Sequence, residues 1–398
     1  MLEHWIWFAA LQGISLRQKL QLLERFSDPE ELYYLNTEEN PSGLSPELVR
    51  ILSDKELTAA RQRIKQCADQ NIHILTYTAA AYPDRLRSIH NPPLVLYYQG
   101  VLPDFEAQPA IGVVGTRKAS VYGRTNALDM CRELGACGAL VISGGAAGID
   151  TEALKGAMDA DAPVVAVLGC GVDVVFPASN KKLFEKIIEK GCLLSEYPPG
   201  TTARTWHFPE RNRIISGLSN GVLVVEAPEK SGALITARDA MEQGRDVFTV
   251  PGNINTSTCA GSNALLREGA AAVFCGWDVL KEYAPQYPGV ERREFVPKLA
   301  EQPTLVWISD PVMLPGSDKK SVDNSNHSAY SDQDSKAAQL DALSRKLLRC
   351  LDTEPAPVDE VIAQVEAPAA EVLSALTRLA LLGMVINHPG RLVSVKRK

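Results

Sequence analysis

The chain has 398 residues, 45% hydrophobic and 22% charged, with a formal net charge of −7. That length and apolar content allow two or three domains with substantial cores, and the acidic balance excludes a chain that is basic over its whole surface while leaving room for a local basic groove. The eight cysteines include no C-x-x-C pair and the six histidines are dispersed, so neither a zinc site nor another metal centre is expected, and no cofactor is implied.

Taken in chain order, the start Met1-Leu-Glu-His-Trp-Ile-Trp lacks the basic segment of a signal peptide, and no apolar run reaches the ~20 residues of a membrane span. A reducing cytoplasm is the expected location, with no membrane partner. Residues 1–75 read as a small helical domain: Leu16, Leu20, Leu23 and Phe26 recur at helical spacing, as do Leu48, Ile51 and Leu52. Residues 76–110 are turn-rich, with Tyr82-Pro-Asp and Asn91-Pro-Pro. Six apolar runs then follow: Ile111–Val114, Ala139–Ile142, Val164–Leu168, Cys192–Leu194, Val222–Val225 and Val247–Val250. Helix-length segments near 121–137, 149–160, 179–190, 209–218 and 232–244 separate them. This alternation predicts an α/β domain over 76–288, a doubly wound, mostly parallel sheet with helices on both faces.

Residues 289–338 change character. The stretch from Val322 to Ser335 is polar and cannot offset its ordering entropy, which predicts a flexible linker. Residues 339–398 show three helices (340–351, 358–364 and 368–382) and two short strands (384–387 and 392–395), the pattern of a winged helix. Its third helix carries Glu371 and a single cation, Arg378. A protein contact or weak DNA contact therefore fits it better than base reading.

In an open α/β sheet, ligands bind beyond the carboxyl ends of the strands. The first such end runs into Gly115-Thr-Arg-Lys-Ala-Ser-Val-Tyr-Gly123. Ser120 is placed to cap the next helix, whose free N–H groups attract an anion, behind Thr116, Arg117 and Lys118. The second enters Ser143-Gly-Gly-Ala-Ala-Gly-Ile-Asp150, where Gly144 and Gly145 let backbone N–H groups close on an oxyanion. Ser231 is placed to cap a helix facing the same rim. Gly169-Cys-Gly lacks the third glycine of a dinucleotide fingerprint, and no Walker pattern is present. Glu226, Asp150 and Asp173 are the carboxylates available for acid–base work. No nucleophile or metal ligand accompanies them, and helix caps and salt bridges explain them more simply.

Phe208-Pro-Glu-Arg-Asn-Arg-Ile-Ile-Ser-Gly-Leu-Ser219 adds the densest cationic group. Arg211 and Arg213 flank Asn212. Planar guanidinium forks suit phosphate oxygens, and Phe208 offers a face for a nucleobase. The same arginines fit ion pairs with Glu210 and Glu226 equally well.

Together these motifs resemble the DNA-processing protein A family, also called Smf. The resemblance runs through Gly115-Thr-Arg117, Ser120-Val-Tyr-Gly123, Ser143–Asp150, Gly169–Asp173 with Phe176-Pro177 and Asn180, and Ser195–Gly200. It continues through Phe208–Leu218, Val224–Ala227, Ser231–Ala237 and Gly244–Gly252, so that it covers about residues 80–285. It implies an extended Rossmann-like domain flanked by an N-terminal SAM-like helical domain and a C-terminal winged helix. It implies binding of single-stranded DNA without sequence preference, and loading of a RecA-type recombinase during natural transformation or recombination. A homodimer formed through the Rossmann-like domain, and no enzymatic activity, are implied with it. The implied DNA groove maps onto Arg117, Phe208, Arg211, Asn212 and Arg213. Leu154 stands where the family commonly has histidine. Arg204-Thr-Trp-His207 occupies a stretch where relatives carry lysine, so that Arg204 supplies the charge and Trp206 or His207 further stacking. The rival is a nucleotide-cleaving hydrolase on a related fold, whose glycine run and catalytic glutamate the segment Ser231–Ala237 lacks.

Overall fold

The computed structural model describes residues 1–36, 43–293, 342–351, 356–365, 367–381, 384–388 and 392–395. The expected linker lies outside the described residues from position 294 onward, as does the turn at 389–390. The chain divides into two compact units, Met1–Leu305 and Val306–Lys398.

The first unit opens with five helices, α1 (Leu2–Ala10), α2 (Leu16–Phe26), α3 (Pro29–Tyr34), α4 (Pro46–Leu52) and α5 (Thr58–Asp69). The leucine spacing read from the sequence falls on α2, which Ser15 and Gln18 close with a reciprocal capping box. These helices belong to the same apolar cluster as the sheet: Trp5, Trp7 and Phe8 join Leu94, Val95 and Tyr97.

Nine strands follow: β1 (His73–Thr76), β2 (Val95–Gly100), β3 (Ala110–Val114), β4 (Leu140–Ser143), β5 (Val164–Val167), β6 (Cys192–Ser195), β7 (Gly221–Val224), β8 (Asp246–Thr249) and β9 (Ala271–Ala272). Their spatial order is β1-β2-β6-β5-β4-β3-β7-β8-β9. All neighbours from β6 to β9 are parallel, and β2 runs antiparallel to both β6 and β1. The six expected strands are present. The turn-rich reading of 76–110 missed β2, whose Val95, Leu96 and Tyr97 are buried between turns that dominated the local pattern.

The connecting helices are α6 (Asp84–Arg87), α7 (Val121–Ala136), α8 (Ile149–Asp159), α9 (Lys181–Lys190), α10 (His207–Leu218), α11 (Gly232–Glu242), α12 (Ala260–Arg267) and α13 (Gly276–Leu280). They cover both faces, which is why Val222, Leu223 and Val224 are buried in succession rather than alternately. From β3 the chain winds outward through β4 and β5 to β6. It then returns through α10 to β7, beside β3, and winds the other way. The reversal between β3 and β7 leaves a crevice beyond their carboxyl ends.

The second unit holds α14 (Ala342–Cys350), α15 (Val358–Val365) and α16 (Ala369–Leu381). Its sheet pairs β10 (Ala356–Pro357), β12 (Leu392–Val395) and β11 (Val385–His388) in that order. Leu347, Val361, Val372, Leu379 and Val393 form its core. The short β10 is an addition to the two strands expected.

Candidate nucleic-acid interface

The crevice is built from three segments far apart in sequence. The loop after β3 is tied to the end of β7 by the Thr116 N–H, which donates to the Glu226 carbonyl at 2.8 Å. The loop after β4 lies against it. Gly148 has φ +85° there, and a side chain at that position would run into the Thr116 carbonyl. Gly144 sits where a Cβ would come within 2.5 Å of the Arg211 guanidinium and 2.6 Å of the Asp150 carboxylate. The third segment is α10, with Phe208, Arg211, Asn212 and Ile215 on one face at i, i+3, i+4 and i+7.

These segments enclose a cavity of about 390 Å³. Thr116, Arg117, Phe208, Arg211, Asn212 and Ser231 line it, so six of the twelve residues singled out from sequence meet around one space. Lys230 and the first turn of α11 close the opposite side. Ser231 caps that helix by accepting the Ala233 N–H at 3.3 Å. Arg117 is exposed, and its guanidinium lies 4.7 Å from the centre of the Phe208 ring. Asn212 donates to the Gly232 carbonyl at 3.3 Å and so fastens α10 to α11.

Arg211 and Asp150 form the floor, with 4% and 6% of their surfaces exposed. Arg211 Nη1 donates to the carbonyls of Gly144, at 2.7 Å, and Val167. Its Nε donates to Asn212 Oδ1 at 3.3 Å. Burial pushes the Asp150 carboxyl up to about 6, against the pull of the Arg211 charge and the Ala146 N–H that its Oδ2 accepts. Burial likewise lowers Arg211 to about 10, with Asp150 opposing the shift. The cavity thus combines three cationic side chains, one buried carboxylate and a helix N-terminus beside an aromatic ring.

Comparison with known proteins follows this architecture. Residues 73–284 match the family model described as DNA recombination-mediator protein A, and residues 331–391 match the DprA winged helix domain. The Smf protein of Synechocystis is 31% identical over 405 residues, covering 97% of each chain. The chain belongs to the DNA recombination-mediator protein A family. The DprA protein of Bacillus subtilis is 39% identical over 54% of this chain and 72% of its own. The X-ray structure of DprA from Streptococcus pneumoniae superposes with a TM-score of 0.62 at 34% identity, over 71% of this chain and 98% of that one.

In this recombination-mediator protein several expected site residues take other posts. Arg213 lies on the far side of α10, where Nη2 donates to both carboxylate oxygens of Glu196 at 2.8 Å. Glu210 accepts the Tyr197 hydroxyl at 2.8 Å, so neither arginine pairs with it. Ser120 does cap α7, accepting the Gly123 N–H at 3.0 Å, but the anion seat there is taken. The buried Glu226 carboxylate accepts the Ser120 N–H at 2.9 Å, and its charge repels a phosphate from that helix end. Lys118 and Arg204 are exposed without lining the cavity, and Arg204 lies over the Trp206 ring at 5.2 Å. Gly144 borders a smaller neighbouring hollow, and Gly145 is buried outside the cavity lining. His207 offers no free face, because its ring stacks on Tyr197 at 3.9 Å and its Nδ1 lies 3.0 Å from the Gly169 carbonyl. Asp173 accepts the Gly200 N–H and holds a turn. Lys230 was missed, although its place between the end of β7 and the Ser231 cap marks it by the same strand-end rule.

Among the described residues, no helix is long and apolar enough to cross a membrane, and no group of three metal-binding side chains occurs.

Proposed function

We propose that the protein binds single-stranded DNA without sequence preference through the crevice between β3 and β7, and delivers that strand to a RecA-type recombinase. One observation carries the reading. Arg117, Lys230 and the start of α11 face a common cavity beside Phe208, joining phosphate partners to a stacking ring. Homodimer formation through the α/β unit, a role in natural transformation and a cytoplasmic location belong to the same reading and rest on family membership. The winged helix serves a protein contact or a weak DNA contact rather than base reading.

The test is a titration of the full chain with labelled single-stranded and duplex oligonucleotides at two salt concentrations. Preference for the single strand is expected, with a log–log slope of roughly −0.7 for each phosphate neutralised. Tighter duplex binding, or binding indifferent to salt, would overturn the reading.

A nucleotide-cleaving activity is favoured by one feature, the Asp150 carboxyl pushed up to about 6 beside the cavity. Release of base from nucleoside monophosphates, lost in Asp150→Asn, would establish it in place of the binding role.

A further inference from the structure

Phe208 is a wall shared by two hollows. On one side lies the 390 Å³ cavity. On the other is a narrow slot of about 80 Å³ beside Phe208 and Phe176, lined also by Arg117, Leu168 and Cys170. Phe176 is 43% exposed, and its ring centre lies 5.6 Å from that of Phe208 at an interplanar angle of 35°. Behind Phe208 the backbone at Gly169 comes so close that a Cβ there would stand 3.0 Å from the ring. The slot is apolar apart from its mouth. Arg117 is the one charged side chain lining it, and the Cys170 thiol is directed to the Val174 carbonyl at 3.3 Å. The two rings stand too close for a base to enter between them, so the stacking surface on offer is the solvent-exposed part of Phe176, with Arg117 as the adjoining cation and no side-chain pattern to distinguish one base edge from another.

We propose that Phe176 is a second stacking platform. The nucleotide next to the one in the main cavity places its base on the Phe176 ring, and Arg117 holds the phosphate between the two. The proposal rests on the single-stranded-DNA reading of the same site and extends it from one nucleotide to two. Two features support a nucleobase as the group that covers the exposed Phe176 ring. The slot continues the main cavity through Arg117, Ala146 and Phe208, and its cation sits at the junction, where a linking phosphate would lie. Aromatic faces accept every base, so the second platform adds affinity without sequence bias.

The experiment compares oligo-dT with an abasic oligonucleotide of equal length, using the full-length protein, Phe176→Leu, Phe176→Ala and Phe176→Trp. Leucine keeps an apolar contact against Phe208 and removes the π face, so it separates stacking from folding. Phe176→Leu and Phe176→Ala are expected to bind oligo-dT about five- to 150-fold more weakly, the cost of one lost base stack. They should bind the abasic strand like wild type and keep its salt slope, while Phe176→Trp restores binding to oligo-dT. Wild-type affinity of both weakened variants for oligo-dT would overturn the proposal, as would an equal loss on oligo-dT and the abasic strand. Failure of the wild-type protein itself to bind oligo-dT would sink the underlying reading, and is seen before any variant is made.

Discussion

Replacing Arg211 with methionine separates a structural cation from a phosphate partner. Arg211 donates to the buried carbonyls of Gly144 and Val167 and faces the buried Asp150. Methionine fills similar space and leaves both carbonyls without this donor. At pH 5 the folded wild type already carries Asp150 largely protonated, since its pKa is about 6. The loss there is the unsatisfied carbonyls alone, about 1–3 kcal/mol. Without the guanidinium, the Asp150 pKa moves higher still. Above pH 6 the variant then retains a proton that the wild type has released. Its deficit grows by about 1.4 kcal/mol per pH unit until its own pKa is reached. At pH 8 the deficit should exceed its value at pH 6 by up to about 2.7 kcal/mol. In the wild type the same carboxyl makes stability fall as pH rises from 3.8 to about 6, because the folded state holds the proton more tightly than the unfolded chain. Urea unfolding followed by tryptophan fluorescence at pH 5, 7 and 8 reads these differences. A pH-independent deficit, or a variant as stable as wild type, would refute the coupling of Asp150 to the Arg211 charge.

Two further outcomes separate the groove from its supports. Arg117→Ala and Lys230→Ala should each weaken single-strand binding by about 1–3 kcal/mol and reduce the salt slope by roughly 0.7, as read by fluorescence anisotropy at several salt concentrations. Arg213→Ala leaves the partly buried Glu196 without the Nη2 that both its oxygens accept from. It should cost about 1 kcal/mol in a urea melt while DNA affinity and salt slope stay at wild-type values.

The crevice was legible where strand ends dictate it. The runs at β3, β4 and β7, the glycines after β4 and the Ser231 cap follow from local pattern, and the reversal of winding brings them together. The helical phase of α10 was also present in the sequence. Phe208, Arg211 and Asn212 share a face from which Arg213 is excluded, once the segment is read as a helix rather than as a cluster of charges. Glu226 was not legible as the occupant of the α7 end, because its bond to the Ser120 N–H spans 106 residues. Nor did local pattern show that β2 joins the sheet antiparallel, since the prolines before it signal a turn and its partner β6 lies some ninety residues downstream.

An open sheet must end somewhere, and each end is a row of unpaired backbone groups that invites another chain. Here one border is the two-residue β9, too short to recruit much, and the other is the four-residue β1. Trimming the molecule to its α/β portion by cutting after β1 would move that border inward to β2. There Val95, Leu96, Tyr97 and Tyr98 would lose their partners in β1, and Val95 and Tyr97 would also lose the apolar cluster they share with Trp5 and Trp7 of α1. The helices that look detachable in sequence therefore guard the sheet against self-association, and a shortened chain should precipitate where the full one does not.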